Sequence, residues 1–186
     1  MILSIYGYGQ SVLKKKAEPI DRDYPDLENL IANMWETMYQ AQGVGLAAPQ
    51  IGLPIRLFIV DTEQIQDKGR AVEGLKHVFI NAEKVDIQGE IWTYEEGCLS
   101  IPDIRGDVER PQVLHLRYLD ENFEPQETVF TGMTARVIQH EYDHIEGVLF
   151  VEHLKPVRKR LIRRKLENIK KGKIKVDYKM RFSGKG

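Results

Sequence analysis

His140-Glu141-Tyr142-Asp143-His144 sets two imidazoles four residues apart, with a carboxylate directly after the first. On an α-helix, residues i and i+4 lie one turn apart on the same face, so both rings can reach a single metal ion. The glutamate beside the first ring is then placed to take a proton from a water on that ion. An amphipathic helix carrying two ordinary histidines would show the same five residues. The residues upstream weigh against that reading. Met133 and Val137 fall on the stripe of His140 and His144 (i, i+4, i+7, i+11), which predicts a core-facing line. Imidazoles and a carboxylate on a buried line are costly unless paired, and a metal ion is the simplest partner. The helix is predicted from about Met133 to Ile145, with Gly147 as its C-terminal stop.

Working outward, Leu27, Leu30, Ile31, Met34 and Met38 recur at helical spacing, which predicts a helix over Pro25–Gln42 with Gly43 as its stop. Gly43 to Gly52 reads as an apolar loop with three glycines, and the polar stretch Glu63–Gly74 as an exposed loop. Strands are predicted at Arg56–Asp61, His77–Asn81, Lys84–Gln88, Ile91–Glu95, Pro111–Leu119 and Glu127–Phe130. A last helix starts near Pro156 and runs to about Lys171, with Val157, Leu161 and Ile169 available to pack against the body. Successive strands with helices at either end predict an α+β fold: mostly antiparallel sheets around a central His-Glu-x-x-His helix. One domain over residues 1–186 is expected, with a basic tail from about 155.

Composition bounds the setting. Cys98 is the only cysteine, so no internal disulfide forms and a reducing compartment is expected. The N-terminus lacks a secretory pattern, and no stretch approaches the roughly 20 apolar residues of a membrane span. A cytoplasmic protein with no membrane partner is expected. The net charge of -1 conceals an asymmetry: residues 155–186 hold 14 Lys and Arg against Glu167 and Asp177, leaving 13 basic and 26 acidic residues before them. An acidic body with a basic arm is suited to an anionic partner.

Two histidines need a third ligand. A His-Glu-x-x-His-x-x-Gly-x-x-His site is excluded because Phe150 stands at the third histidine position. Glu152 is too close to the helix to return easily, and Glu167 lies in the basic last helix, where a solvated ion pair is the simpler role. Cys98 remains, in Glu95-Glu96-Gly97-Cys98-Leu99-Ser100 at the end of a strand-like run. Taken alone it reads as a small buried hydrophobe or a nucleophile. With the two histidines it makes three protein ligands and leaves one open position, the mark of a catalytic metal. A closed structural site would need His77, His115 or His153, and would have no use for Glu141.

Three segments then carry a resemblance: Gly43-Val44-Gly45-Leu46-Ala47-Ala48-Pro49-Gln50, Glu96-Gly97-Cys98-Leu99-Ser100 and Gln139-His140-Glu141-Tyr142-Asp143-His144. In this order they resemble the signature motifs of the peptide deformylases, enzymes that remove the N-formyl group from the initiator methionine of nascent bacterial and organellar chains and release formate. The resemblance implies that Cys98, His140 and His144 bind the metal, with water as the fourth ligand and the nucleophile, its pKa lowered to about 7. It implies Glu141 as general acid and base, and Gln50 with the Leu99 N–H as oxyanion donors. Gly43 and Gly45 would let the backbone approach the metal and, with Val44, pair with an extended peptide. Val44, Met133 and Val137 would line the methionine pocket, and Arg105 would help hold the peptide backbone. Asp143 would orient a ligand or cap the local network. Arg136 departs from the family, which usually has an aliphatic residue on this helix face.

The family commonly uses Fe²⁺, with Zn²⁺, Ni²⁺ or Co²⁺ as substitutes, and its C-terminal helix is implicated in docking on the ribosome. Here a basic C-terminal helix contacting RNA phosphates without sequence-specific recognition is expected. Two other readings predict different behaviour. A metal peptidase would cut unformylated peptides, and an RNA-binding protein with a structural metal would tolerate Glu141→Gln.

Overall fold

The computed structural model describes residues 1–67, 70–71 and 74–184. The chain runs β1 (Ile5–Tyr6), α1 (Leu27–Gln40), β2 (Gly45–Ala47), β3 (Leu57–Asp61), β4 (Gln66–Asp67), β5 (Arg70–Ala71), β6 (Lys76–Cys98), β7 (Ile101–Leu119), β8 (Pro125–Thr131), α2 (Gly132–Ile145), α3 (Pro156–Lys170) and β9 (Met180–Arg181). The fold is α+β. Its main sheet has the order β2-β3-β6-β7-β8, with every neighbouring pair antiparallel.

β3 explains how two helices share one sheet. Its residues alternate, so Phe58 and Val60 join a core with Ala135, Ile138, Tyr142 and Ile145 of α2. Leu57 and Ile59 join a separate core with Ile31, Met34 and Met38 of α1. The strand is buried on both faces, which is why it reads as a continuous apolar run. A third core lies under the first half of β7, where Ile101, Ile104 and Val108 meet Leu149, Phe150, Leu154, Ile162 and Ile169.

Several predicted elements change. The strands expected at His77–Asn81, Lys84–Gln88 and Ile91–Glu95 are one 23-residue strand, β6. Its register shifts between Ile80 and Glu83 and between Gln88 and Ile91. Asn81 (φ 52°) and Gly89 (φ 83°) sit within those shifts, so bulges interrupt the local pattern without ending the strand. β7 begins at Ile101 rather than Pro111. Its inward positions alternate regularly through Ile104, Gly106, Val108 and Arg110, but the glycine and arginine hide the apolar period.

The Gly43–Gly52 loop contains β2, whose Leu46 and Ala47 pair with Ile59 and Phe58. Three residues are too few to show a period. The loop expected over 63–74 carries a two-stranded ribbon, β4 with β5, while residues 68–69 and 72–73 lie outside the described residues. On α3, Ile162 and Ile169 face the body, whereas Val157 and Leu161 are each 69% exposed, contrary to expectation. Leu161 lies one residue, about 100°, from Ile162 around the helix, so both cannot face β7.

Candidate active site

Three distant parts of the chain meet at the end of β6. β6 terminates at Cys98, which pairs with Ile101 across the two-residue turn Leu99–Ser100. α2 brings His140 and His144 beneath this turn, their ring centroids 5.1 Å apart. The donor atoms of Cys98, His140 and His144 all lie within 4.8 Å of one another. Cys98 Sγ lies 3.3 Å from His144 Nε2. Sulfur and nitrogen donors at 2.3 and 2.1 Å from a tetrahedral zinc stand about 3.6 Å apart, so the donor set fits a metal of that kind. His140 donates from Nδ1 to Glu96 Oε2 at 3.1 Å, which leaves Nε2 as its lone-pair nitrogen for a metal.

Glu96 is the hub behind His140. Arg110 grips its carboxylate with Nε at 2.7 Å and Nη2 at 3.0 Å, and Arg136 Nη1 donates at 2.6 Å. Burial acts to raise the Glu96 pKa, but hydrogen bonds from His140 and Arg110 overcome it and hold the carboxyl well below its usual range. Arg110 also donates to Asp143 Oδ2 at 2.9 Å, and the same oxygen receives His153 Nε2 at 2.9 Å. A line of contacts thus runs from half-exposed His153 through Asp143, Arg110 and Glu96 to His140. Asp143 connects to His140 through this line, its carboxylate resting on Arg110 and His153.

Arg136 is the other finding of this network. It is 2% exposed, donates to the carbonyls of Trp92 (2.6 Å) and Val108 (3.1 Å), and stacks 4.3 Å over the Trp92 ring. Its guanidinium is turned away to Glu96, so the departure from an aliphatic residue puts no free charge into the cleft.

Glu141 has the opposite surroundings. It is 4% exposed, and its Oε2 has no hydrogen-bond partner among the described residues. Burial pushes its pKa up to about 7. Gly45 explains how it fits: a Cβ there would lie 2.5 Å from Glu141 Oε1. Gly45 therefore makes room for this carboxylate, and Gly43 does the same for Leu99, whose Cδ1 would be 2.7 Å from an added Cβ. Gln50 is equally well held. Its Oε1 accepts the Ala47 N–H at 2.8 Å, which aims Nε2 at Cys98 Sγ (3.5 Å) and Ser100 Oγ (3.2 Å).

A cleft of about 640 Å³ opens over these groups. Gly43, Val44, Gly45, Gln50, Cys98, Leu99, Arg105, Met133, Val137, His140 and Glu141 line it, as does Arg136, whereas His144 and Asp143 do not. Arg105 sits at the rim with its guanidinium on Glu95, at 2.9 Å to the carboxylate. Among the described residues His77, His115 and His153 join no ligand cluster; His115 pairs with Glu127 at 2.9 Å.

Arg110, Arg136, His153 and Tyr178 were not assigned roles from sequence. Arg110 had a signal: it occupies an inward position of a strand otherwise holding Ile104 and Val108, where a charge needs a buried partner. Tyr178, which lines the cleft from beyond α3, had none.

Known proteins are similar to this chain in sequence and fold. The family model described as Polypeptide deformylase matches residues 2–160. The peptide deformylase of Christiangramia forsetii is 54% identical over 189 residues, covering 98% of this chain and 96% of its own. The crystal structure of a peptide deformylase from Legionella pneumophila superposes with a TM-score of 0.80 at 38% identity, over 93% of this chain and 98% of that one. The Met-Ala-Ser-bound class I type b enzyme of Acinetobacter baumannii superposes with a TM-score of 0.78 at 38% identity, over 83% and 99%. With this geometry and these matches, the chain belongs to the polypeptide deformylase family, whose enzymes remove the N-formyl group from nascent peptides.

Proposed function

We propose that Glu141 carries the proton in deformylation of N-formylmethionyl peptides, beside one divalent ion held by Cys98, His140 and His144. One observation carries the reading: three convergent donors and a buried glutamate with an unpartnered oxygen line or floor the same cleft. Fe²⁺ is the ion the family leads one to expect, with Zn²⁺, Ni²⁺ or Co²⁺ as substitutes. Such an ion supplies Lewis acidity, lowering the pKa of a water to about 7 and polarising the formyl oxygen.

The chain's own residues do the rest. Glu141, poised near neutrality, accepts the proton of the attacking water and returns it to the departing amine. Gln50 Nε2 and the Leu99 N–H donate to the oxygen that becomes negative in the transition state. β2 is an edge strand, so its outer side at Gly45 offers pairing to an extended peptide, whereas the Gly43 N–H and carbonyl are already taken by the Met38 carbonyl and Gln64 Nε2. Val44, Met133 and Val137 take the methionine side chain, and Arg105 reaches the peptide from the rim. The Acinetobacter baumannii relative binds Met-Ala-Ser, a peptide of the kind this reaction would release.

The test is formate release from formyl-Met-Ala-Ser by anaerobically purified protein beside its Glu141→Gln variant. The variant should lose about 10²–10⁴-fold in rate with metal still bound. A fully metallated parent that releases no formate overturns the proposal.

The ribosome is the partner proposed for α3. Arg160, Arg163, Arg164 and Lys165 are exposed and meet no carboxylate among the described residues, and Val157 and Leu161 stand exposed beside them. Salt-sensitive co-sedimentation with ribosomes, lost when these four are replaced by Glu, checks it. The bacterial cytoplasm is the matching location; no helix among the described residues is long and apolar enough to cross a membrane.

A further inference from the structure

The turn that carries Leu99 is held from outside by both ends of the chain. β1 and β9 pair in parallel, Ile5 with Met180 and Tyr6 with Arg181. Two residues beyond β1, the Tyr8 N–H donates to the Ser100 carbonyl at 2.9 Å. Two residues before β9, the Tyr178 hydroxyl donates to the Leu99 carbonyl at 2.7 Å. Adjacent carbonyls of one two-residue turn are therefore each taken by a different terminus, and the termini are tied to each other.

The pairing is tight. A Cβ at Gly7 would lie 3.1 Å from Met180 and 3.2 Å from Phe182. Ser183 Oγ and the Gly184 N–H both return to the Lys170 carbonyl, at 3.1 and 3.0 Å, which ties the tail to the end of α3. Tyr178 packs against the same core as Leu99 and, like it, lines the cleft. Burial, with Cys98 and Asp103 nearby, raises its pKa, so the hydroxyl keeps its proton and remains a donor.

We propose that the paired chain ends are a clasp that aims the Leu99 N–H into the cleft, with Tyr178 as a positioning residue for the oxyanion donor. The reason is geometric. Cys98 is held on one side of the turn by its pairing with Ile101, and the Leu99 and Ser100 carbonyls are held on the other. Few φ/ψ combinations therefore remain for Leu99, and its N–H has little freedom to turn aside. A preset donor stabilises developing charge without reorganising during the reaction. Tyr178 lies beyond residue 160, where the family-model match ends. The catalytic half of this inference rests on the deformylase reading given above; the clasp itself does not.

Tyr178→Phe in the full-length, metal-loaded enzyme is the discriminating variant, because it keeps the ring and removes one hydrogen bond. The expected result is a kcat on formyl-Met-Ala-Ser about fivefold lower, with KM and the thermal midpoint unchanged. Amide hydrogen exchange at Leu99 and Ser100 should speed up by a similar factor. Tyr178→Ala, which also removes part of the cleft wall, should raise KM as well. Unchanged exchange in Tyr178→Phe overturns the clasp. Faster exchange with parental kcat, or a kcat loss that only follows a fall in thermal midpoint, overturns the positioning role. Faster exchange in a chain whose parent releases no formate leaves the clasp standing and sinks the deformylase reading instead.

Discussion

Glu96 and Glu141 are both buried beside His140, yet their surroundings drive them apart. Glu96, from β6, accepts from Arg110, Arg136 and His140, and its carboxyl is held well below the usual range. Glu141, from α2, lies against the bare backbone of Gly45 with one oxygen unpartnered, and burial carries it up to about 7. The same side chain is held as an anion in one place and has its proton affinity raised in the other. What differs is the count of donors supplied to offset the cost of taking a carboxylate out of water.

Replacing each glutamate by glutamine is the strongest way to break the comparison. Glu96→Gln leaves two buried guanidinium groups without their shared anion and should cost about 3–5 kcal/mol in denaturant unfolding. Glu141→Gln has no partner to strand and should cost less than about 1 kcal/mol, while abolishing turnover. Similar losses of stability for the two would remove the distinction.

Gly45→Ala tests the room made for Glu141. The added Cβ meets the mobile end of a side chain, so stability should barely move. The carboxylate must shift, however, and formate release should fall about 10²-fold.

Protonation gives the third test, in metal-stripped protein. The Glu141 pKa is raised from its ordinary 4.5 to about 7. Its contribution to stability is therefore fully present below pH 4.5 and lost as pH rises through about 7. Parent stability should fall relative to Glu141→Gln across that window, by on the order of 2 kcal/mol. Glu96, with a lowered pKa, has the opposite sign: its contribution is present above its ordinary 4.5 and is lost as pH falls. Denaturant titrations of the three proteins from pH 4 to 8 read both slopes. A parent curve that runs parallel to that of Glu141→Gln would mean that burial does not set the Glu141 proton affinity.

His153→Ala should have the smallest effect, less than about threefold in rate and about 0.5 kcal/mol in stability. It sits at the solvent end of the line to Glu96, where water replaces its contact with Asp143. A larger loss would show that the Glu96 anion depends on charges well beyond its two arginines.

Local sequence carried the helices and the ligand set. α1, α2 and α3 begin and end within about two residues of their predicted limits, because a helix is written in contacts three and four residues apart. The two histidines likewise share a face wherever the helix goes, and setting aside the other candidates left Cys98 as their proposed companion. Sheet detail was less legible: β2 is too short to show a period, and bulges at Asn81 and Gly89 cut β6 into apparent fragments.

What only the tertiary structure decided is which neighbour each of these residues meets. Glu96 stood in a quoted motif, yet nothing local says that Arg110, 14 positions on, and Arg136, 40 positions on, converge on its carboxylate. Gly45 was legible as a close-approach glycine but not as the seat of Glu141, which lies 96 positions away. Tyr178 reaches Leu99 across 79 positions, through the pairing of the two chain ends. The sequence determined the chemistry of the donors, since residue type and helical spacing are local properties. Proton affinity and aim depend on burial and on partners brought from far along the chain, and those exist only once the chain has folded.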